Sequence, residues 1–255
     1  MDTIETPEKD IPLRYDIRLL GRILGDTVRA QEGDPVFELV ERIRRTGVQF
    51  HRAADETARQ DLRAIMSGLP TAQAIRIIRA FGYFSHLANI AEDQHHIRRT
   101  RTYALAKAPP RPGSIAYALD SAREAGISRE RLLMFFARAL VSPVLTAHPT
   151  EIRRKSSIDR EMEIARLLDE RDRIQFTPDE LTANRRALRR AVLTLWQTSI
   201  LRGTRLRVID EVNNGLAYYD HTFFYALPAF YADLEDRLAA VPEWQDVKVP
   251  SFLGM

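Results

Sequence analysis

Only two stretches of this chain read as β-strand; the rest reads as helix and helix punctuation. Val141 to Thr146 is a β-favouring run, and Val247-Lys248-Val249 begins a second one that Pro250 interrupts. Two short strands cannot make a stable sheet, because their edges stay unpaired. They are either minor additions to a helical domain or members of a larger sheet whose other strands lie in further sequence. The first run, a strand predicted over about 141–148, leads directly into His148 and Pro149. That places His148 at the carboxyl end of a strand, where α/β barrels and open α/β sheets carry their chemistry.

Helical periodicity fills the remainder. Leu13, Ile17, Leu20, Leu24 and Val28 recur at helical spacing, and Gly33 marks a stop. Asp34-Pro35 reads as an N-cap with proline in the first turn, opening a helix to about Thr46. A third helix is expected from Asp55 to Met66. Pro70-Thr71 opens a long one with Ile77, Phe81, Phe84, Ala88 and Ala91 on its inner face. Pro109-Pro110-Arg111-Pro112-Gly113 cannot continue a helix. Ser114 and Ser128 then cap two more helices, the second carrying Leu132, Phe135, Phe136 and Leu140. Beyond the histidine, Arg153 to Arg173 is predicted helical, with Ile158, Met162, Ala165 and Leu168 inward. Thr177-Pro178-Asp179-Glu180 has the form of a capping box, and its helix buries Leu188, Val192 and Leu195. Phe230, Leu234 and Leu238 mark a last helix.

Composition narrows the function classes. There is no Cys, which excludes disulfides and Cys-based zinc sites and fits a reducing compartment. The acidic N-terminus, Met1-Asp2-Thr3-Ile4-Glu5, lacks the apolar core of a signal peptide. No apolar run is long enough to span a bilayer, so a cytoplasmic protein without membrane contact is expected. The pI is about 9.3 although the net charge is only +3. The cations alternate with acids, as in Glu41-Arg42-Ile43-Arg44-Arg45, which reads as solvated helix faces and gives no nucleic-acid surface.

His148 can exchange a proton near neutral pH. Pro149 starts a helix whose amino end favours anions, and Arg153, Arg154 and Lys155 follow closely. This grouping suits a phosphorylated substrate, with Arg153 and Arg154 as candidate substrate-binding residues. It also fits a satisfied core histidine beside an ordinary cationic helix surface, and residue chemistry alone leans to that blander reading.

Thr146-Ala147-His148-Pro149-Thr150-Glu151 resembles the first histidine motif of phosphoenolpyruvate carboxylases. Other segments resemble that family in order: Leu19 to Val28, Ala88-Asn89-Ile90-Ala91-Glu92, Leu195-Trp196-Gln197-Thr198, Asp210-Glu211, Asn214-Gly215-Leu216 and Tyr218-Tyr219. The similarity runs from about Leu13 to Leu253. Arg205-Leu206-Arg207-Val208 departs from the family's usual Lys-Pro-Thr type segment.

The resemblance implies an allosteric, tetrameric, cytoplasmic lyase that joins phosphoenolpyruvate and bicarbonate into oxaloacetate and phosphate with Mg²⁺ or Mn²⁺. It implies that His148 is catalytic, acting in carboxyphosphate breakdown. The metal ligands are expected downstream of residue 255, with no metal site in this segment. The implied fold is a mainly α segment: the N-terminal part of an α/β (TIM-type) barrel enzyme with a large helical elaboration, the barrel incomplete. Residues 1–108 would form an N-terminal helical region, and residues 109–255 the start of the catalytic barrel. A chain of this extent alone is expected to be inactive. The alternatives are a non-catalytic helical interaction or assembly fragment, and a phosphate-ester-binding domain using His148 and its neighbouring cations.

His95-His96, on a helix expected to be exposed, would point about 100° apart, which is poor geometry for one metal. His51, His86 and His221 are isolated. Glu92, Asp210 and Glu211 read as helix-end and interhelical hydrogen-bonding groups, and Trp196 and Tyr218-Tyr219 as core.

Overall fold

The computed structural model describes residues 8–53, 55–142, 144, 155–198 and 207–253. These residues are mainly α-helical, and among them strand pairing is limited to one parallel bridge, Val141 to Leu253. The chain divides into two compact units, residues 1–103 with 156–201 and residues 104–155 with 202–255.

The first unit contains α1 (Ile11–Glu32), α2 (Asp34–Ala53), α3 (Glu56–Ser67), α4 (Thr71–Leu105), α7 (Lys155–Arg173) and α8 (Pro178–Gln197). Gly33 ends α1 with φ 86°, a left-handed conformation that glycine adopts without strain. α2 runs past the expected stop at Thr46 to Ala53. Asp55 caps α3 by accepting from the amides of Thr57 (2.9 Å) and Ala58 (3.2 Å). Leu20, Leu24 and Val28 of α1 pack in one core with Leu87 and Ala91 of α4, Ile164 and Leu168 of α7, and Leu188 and Trp196 of α8.

The inner face of α4 differs in phase from the sequence reading. Ala80, Tyr83, Leu87 and Ile90 are buried with Ile77 and Ala91, whereas Phe81 and Phe84 are half-buried. Tyr83 can turn inward because its hydroxyl donates to the Thr198 carbonyl. Arg79 donates to the Trp196 carbonyl and stacks 4.5 Å from the Trp196 ring. Together they satisfy carbonyls that the end of α8 leaves without helical partners. In α7, Met162 is exposed, and Ile164, Leu167 and Leu168 form the buried stripe.

The predicted capping box at α8 is present. The Glu180 amide donates to Thr177 Oγ1 at 3.3 Å, and the Thr177 amide donates to the Glu180 carboxylate at 2.8 Å. Thr177→Ala is expected to cost about 1 kcal/mol in urea unfolding. The hydrogen bonds from Thr177 lower the Glu180 pKa below 4.5. The carboxylate's contribution is therefore full above that value and is lost as pH falls through the lowered one, so the Thr177→Ala difference should shrink in acid.

The second unit contains α5 (Ile115–Glu124), α6 (Arg129–Arg138), α9 (Val208–Tyr218), a π-helical turn (Tyr219–Phe223), α10 (Phe224–Ala239) and a 3₁₀ turn (Pro242–Trp244). Ser114 and Ser128 cap α5 and α6 as the sequence suggests, accepting from the amides of Tyr117 (3.2 Å) and Arg131 (3.3 Å). Leu132 and Phe136 of α6 pack with Leu234 and Leu238 of α10, and with Trp244, Val247 and Phe252. The buried Trp244 indole donates to the Ile127 carbonyl at 3.2 Å. Phe135, expected inward, is 62% exposed.

Candidate active site

The sequence-predicted site residues His148, Arg153 and Arg154 lie outside the described residues. The structure describes what fixes the chain on either side of them.

Upstream, α6 ends at Arg138, and the Val141 amide then donates to the Phe252 carbonyl at 2.7 Å. Val141, the first residue of the earlier stretch, is therefore bridged in parallel to Leu253, four residues beyond Val249 of the later one. Phe252 is packed among aromatic rings, 5.7 Å from Phe136, 6.1 Å from Phe230 and 5.5 Å from Tyr231 between centroids. The Tyr231 hydroxyl accepts from the amides of Phe252 (2.9 Å) and Leu253 (3.0 Å). Downstream, α7 begins at the exposed Lys155 and is anchored by Ile164, Leu167 and Leu168 in its own core.

The remaining histidines do not build a second site. His95, expected on an exposed face, is only 6% exposed. Its Nδ1 lies 3.3 Å from Arg98, and its Nε2 lies 3.5 Å from the Asp10 carboxylate. Arg98 is one turn along α4, but Asp10 comes from another part of the sequence, which is why local pattern could not show the burial of His95. His96 is exposed. His86 faces Glu161 at 3.7 Å, and His221 Nε2 is buried without a hydrogen-bond partner. Among the described residues no three His, Asp or Glu side chains gather in a way that could hold a metal ion.

Arg98 sits in a partly buried ionic cluster, 2.7 Å from the buried Asp16 and 2.6 Å from Asp172. Burial raises the Asp16 pKa above 3.8; the Arg98 guanidinium opposes this without cancelling it, and Asp172 adds to it. The buried Asn184 donates to the Leu167 carbonyl and accepts from Arg171, each at 3.0 Å. The cluster ties α1, α4, α7 and α8 together. Arg98 is paired with both Asp16 and Asp172, and Arg171 is bonded to Asn184 and Tyr15, which marks the cluster as structural.

A cavity of about 520 Å³ opens among α1, α2 and α4, lined mainly by apolar side chains including Ile17, Leu24, Phe37 and Phe84. The absent side chains of Gly21 and Gly25 allow the rings of Phe84 and Phe37 to approach α1 there; a Cβ would meet them at 3.3 and 3.1 Å. The cavity carries none of the sequence-predicted site residues.

Asp210, expected as a helix-end hydrogen-bonding group, is one. Its carboxylate accepts from the Arg207 amide at 3.0 Å at the start of α9. Trp196 is core, whereas Tyr218 is 46% exposed and is not. Sequence reasoning missed Tyr231; no local pattern links it to amides more than twenty residues away.

The described residues form a mainly helical segment with one parallel bridge, Val141 to Leu253. The phosphoenolpyruvate carboxylase family model matches residues 13–255, and the chain belongs to that family. It is 62% identical over 233 residues to a phosphoenolpyruvate carboxylase of Azorhizobium caulinodans, covering 91% of this chain and 25% of that protein. It is 59% identical over 250 residues to one of Azoarcus sp., covering 97% and 27%. It is 54% identical over 254 residues to one of Bradyrhizobium diazoefficiens, covering 100% and 27%. The chain thus spans about a quarter of the length of the curated relatives it matches. The complete family enzyme is a TIM barrel. Among the described residues no helix is long and apolar enough to cross a membrane.

Proposed function

We propose that this segment supplies the His148 motif to a phosphoenolpyruvate carboxylase, which forms oxaloacetate and phosphate from phosphoenolpyruvate and bicarbonate. The observation that carries the reading is family membership across residues 13–255, a span that includes the motif. The parallel bridge at Val141, seven residues ahead of His148, supports it.

In this reading a bicarbonate oxygen attacks the phosphorus of phosphoenolpyruvate. The bond from phosphorus to the enol oxygen breaks, giving carboxyphosphate and pyruvate enolate. His148 removes the carboxyl proton of carboxyphosphate, whose C–O bond to phosphate then breaks to release CO₂ and phosphate. The proton passes to phosphate, and the enolate carbon attacks CO₂ to give oxaloacetate. An imidazole of ordinary pKa, about 6.5, is suited to that transfer at neutral pH. Arg153 and Arg154 are the proposed contacts to the phosphate-bearing substrate. The family implies Mg²⁺ or Mn²⁺, but the described residues offer no ligand cluster for either, and no step is assigned to a metal.

The reading also accounts for an uncovered apolar face in the second unit. Val208, Ile209, Val212 and Leu216 are between 48% and 77% exposed along α9, with Phe224 and Tyr225 following on α10. A contiguous apolar stripe of this kind marks a contact surface. We assign it to the rest of the family-length polypeptide. The 255-residue chain alone is expected to bind anilinonaphthalene sulfonate and to form no oxaloacetate. Replacing Val212 and Leu216 by Glu should lower the dye signal. Unchanged dye binding in that variant would count against the assignment.

The test of the reading is a graft. Residues 1–255 replace the matching stretch of the Azoarcus carboxylase, and product is followed with labelled bicarbonate. The reading expects labelled oxaloacetate from the graft and none after His148→Asn.

A further inference from the structure

The cavity among α1, α2 and α4 lies wholly within the first unit, and its lining selects a ligand class. Its volume, about 520 Å³, is that of a small-molecule site. Phe37 of α2 and Phe81 and Phe84 of α4 line it with Ile17, Leu24 and Val40, and all three rings are half-buried. The Phe84 and Phe37 rings meet α1 at Gly21 and Gly25, one helical turn apart, where a Cβ would stand 3.3 and 3.1 Å from their Cε2 atoms. Glycine at these two positions lets both rings reach the helix.

Charge around the cavity is one-sided. Asp26 is paired with Arg189 at 3.0 Å, and Glu41 with Arg44 at 2.8 Å. Arg18 and Arg22 also line the cavity, are exposed, and lie four residues apart on one face of α1. The Arg22 Nε donates to the Arg18 carbonyl at 3.3 Å, and neither guanidinium has a carboxylate partner among the described residues. The two acids of the lining are therefore neutralised, and two of its cations are not.

We propose that this cavity binds an aromatic carboxylate, with the ring among Phe37, Phe81 and Phe84 and the carboxylate facing Arg18 and Arg22. Aromatic rings attract one another in offset or edge-to-face contacts at centroid distances of about 4.5–7 Å, which favours a flat aromatic body over an alkyl chain. A guanidinium presents paired N–H donors that match the two oxygens of a carboxylate. Three helices supply the walls, so an occupant joins them and stabilises the first unit by mass action. The inference does not rest on the carboxylase reading.

β-Naphthoate is the probe, titrated calorimetrically into the 255-residue chain at low salt. A Kd on the order of 0.1 mM is expected for a ligand of this size. Naphthylmethanol, which keeps the rings and lacks the charge, should bind at least about fivefold more weakly. Added salt should weaken naphthoate more than the alcohol. Naphthoate at about ten times its Kd should raise the urea midpoint of the chain.

Arg18→Gln with Arg22→Gln should lower naphthoate affinity at least about fivefold and leave the alcohol unaffected. Both positions are exposed, so the fold is kept. Val40→Trp fills the cavity and should abolish binding of both compounds; if it does not fold, the arginine pair decides alone. Replacing Val212 and Leu216 by Glu, which alters the apolar face of α9 instead, should leave naphthoate binding as in the parent.

The inference is overturned if naphthoate gives no heat at about 5 mM, or binds the arginine variant as it binds the parent. Decanoate binding as tightly as naphthoate would make this an alkyl-chain site and overturn the aromatic assignment. Binding by the isolated chain but not by the Azoarcus graft would show that the rest of the polypeptide covers the cavity, which equally removes the site.

Discussion

His148→Asn, in a family-length carboxylase carrying this segment, is expected to lower kcat for oxaloacetate by about 10²- to 10⁴-fold, the usual worth of a positioned acid–base group. KM for phosphoenolpyruvate should stay within about threefold, because asparagine removes proton transfer and leaves the neighbouring cations in place. The expectation follows from the proposed step. Carboxyphosphate must lose its carboxyl proton beside a phosphate that is already negative, and asparagine cannot accept that proton. Steady-state assays with labelled bicarbonate across pH 6–9 check it. A parent-like kcat would exclude His148 as the base.

Arg98→Met carries the second large effect, on stability. Arg98 binds Asp16 at 2.7 Å, and the Asp16 side chain is only 7% exposed. Removing the cation leaves a buried carboxylate uncompensated, for which about 3–5 kcal/mol is the usual cost. Acid should relieve it. The folded-state pKa of Asp16 is already raised above 3.8, chiefly by burial, and loss of Arg98 raises it further. Between the unfolded and folded values the native state holds more protons, so its relative stability increases as pH falls. The difference between Arg98→Met and the parent should therefore be largest near neutral pH and shrink towards pH 4. Urea unfolding of both proteins at matched pH measures it. Comparing the two removes the opposing effect of Asp55, Glu56 and Glu180, whose lowered pKa values make the fold lose stability in acid. A cost that stays constant with pH would assign the loss to packing of the Arg98 stem.

What the sequence made legible is largely local chemistry. Ser114, Ser128 and Thr177 each cap the helix they were expected to open, because a cap needs partners only two or three residues away, and Asp55, expected as the first residue of a helix, is its cap. The phase of α4 was less legible. Tyr83 is buried with its hydroxyl on the Thr198 carbonyl, and His95 with its ring against Asp10. Those partners lie far away in the sequence, so periodicity cannot reveal them. α9 was not predicted, although Val208, Val212 and Leu216 recur at helical spacing with Asp210, Glu211, Asn213 and Asn214 between them; that apolar stripe faces solvent rather than either core. Both β stretches were visible in composition, but the parallel bridge of Val141 to Leu253 and the bonds from the Phe252 and Leu253 amides to the Tyr231 hydroxyl required the fold.

The site was legible by a different route. The residue types around His148 left two readings open. The ordered resemblance along the chain favoured the catalytic one, and the family match over residues 13–255 establishes the family.

The most direct measurement is carboxylation by the Azoarcus graft carrying residues 1–255, run beside the 255-residue chain alone. Labelled oxaloacetate from the graft, with none from the isolated chain, is the expected result. A folded graft that makes no oxaloacetate, or an isolated chain that makes it, would contradict the assignment of this segment as the His148-bearing part of a phosphoenolpyruvate carboxylase.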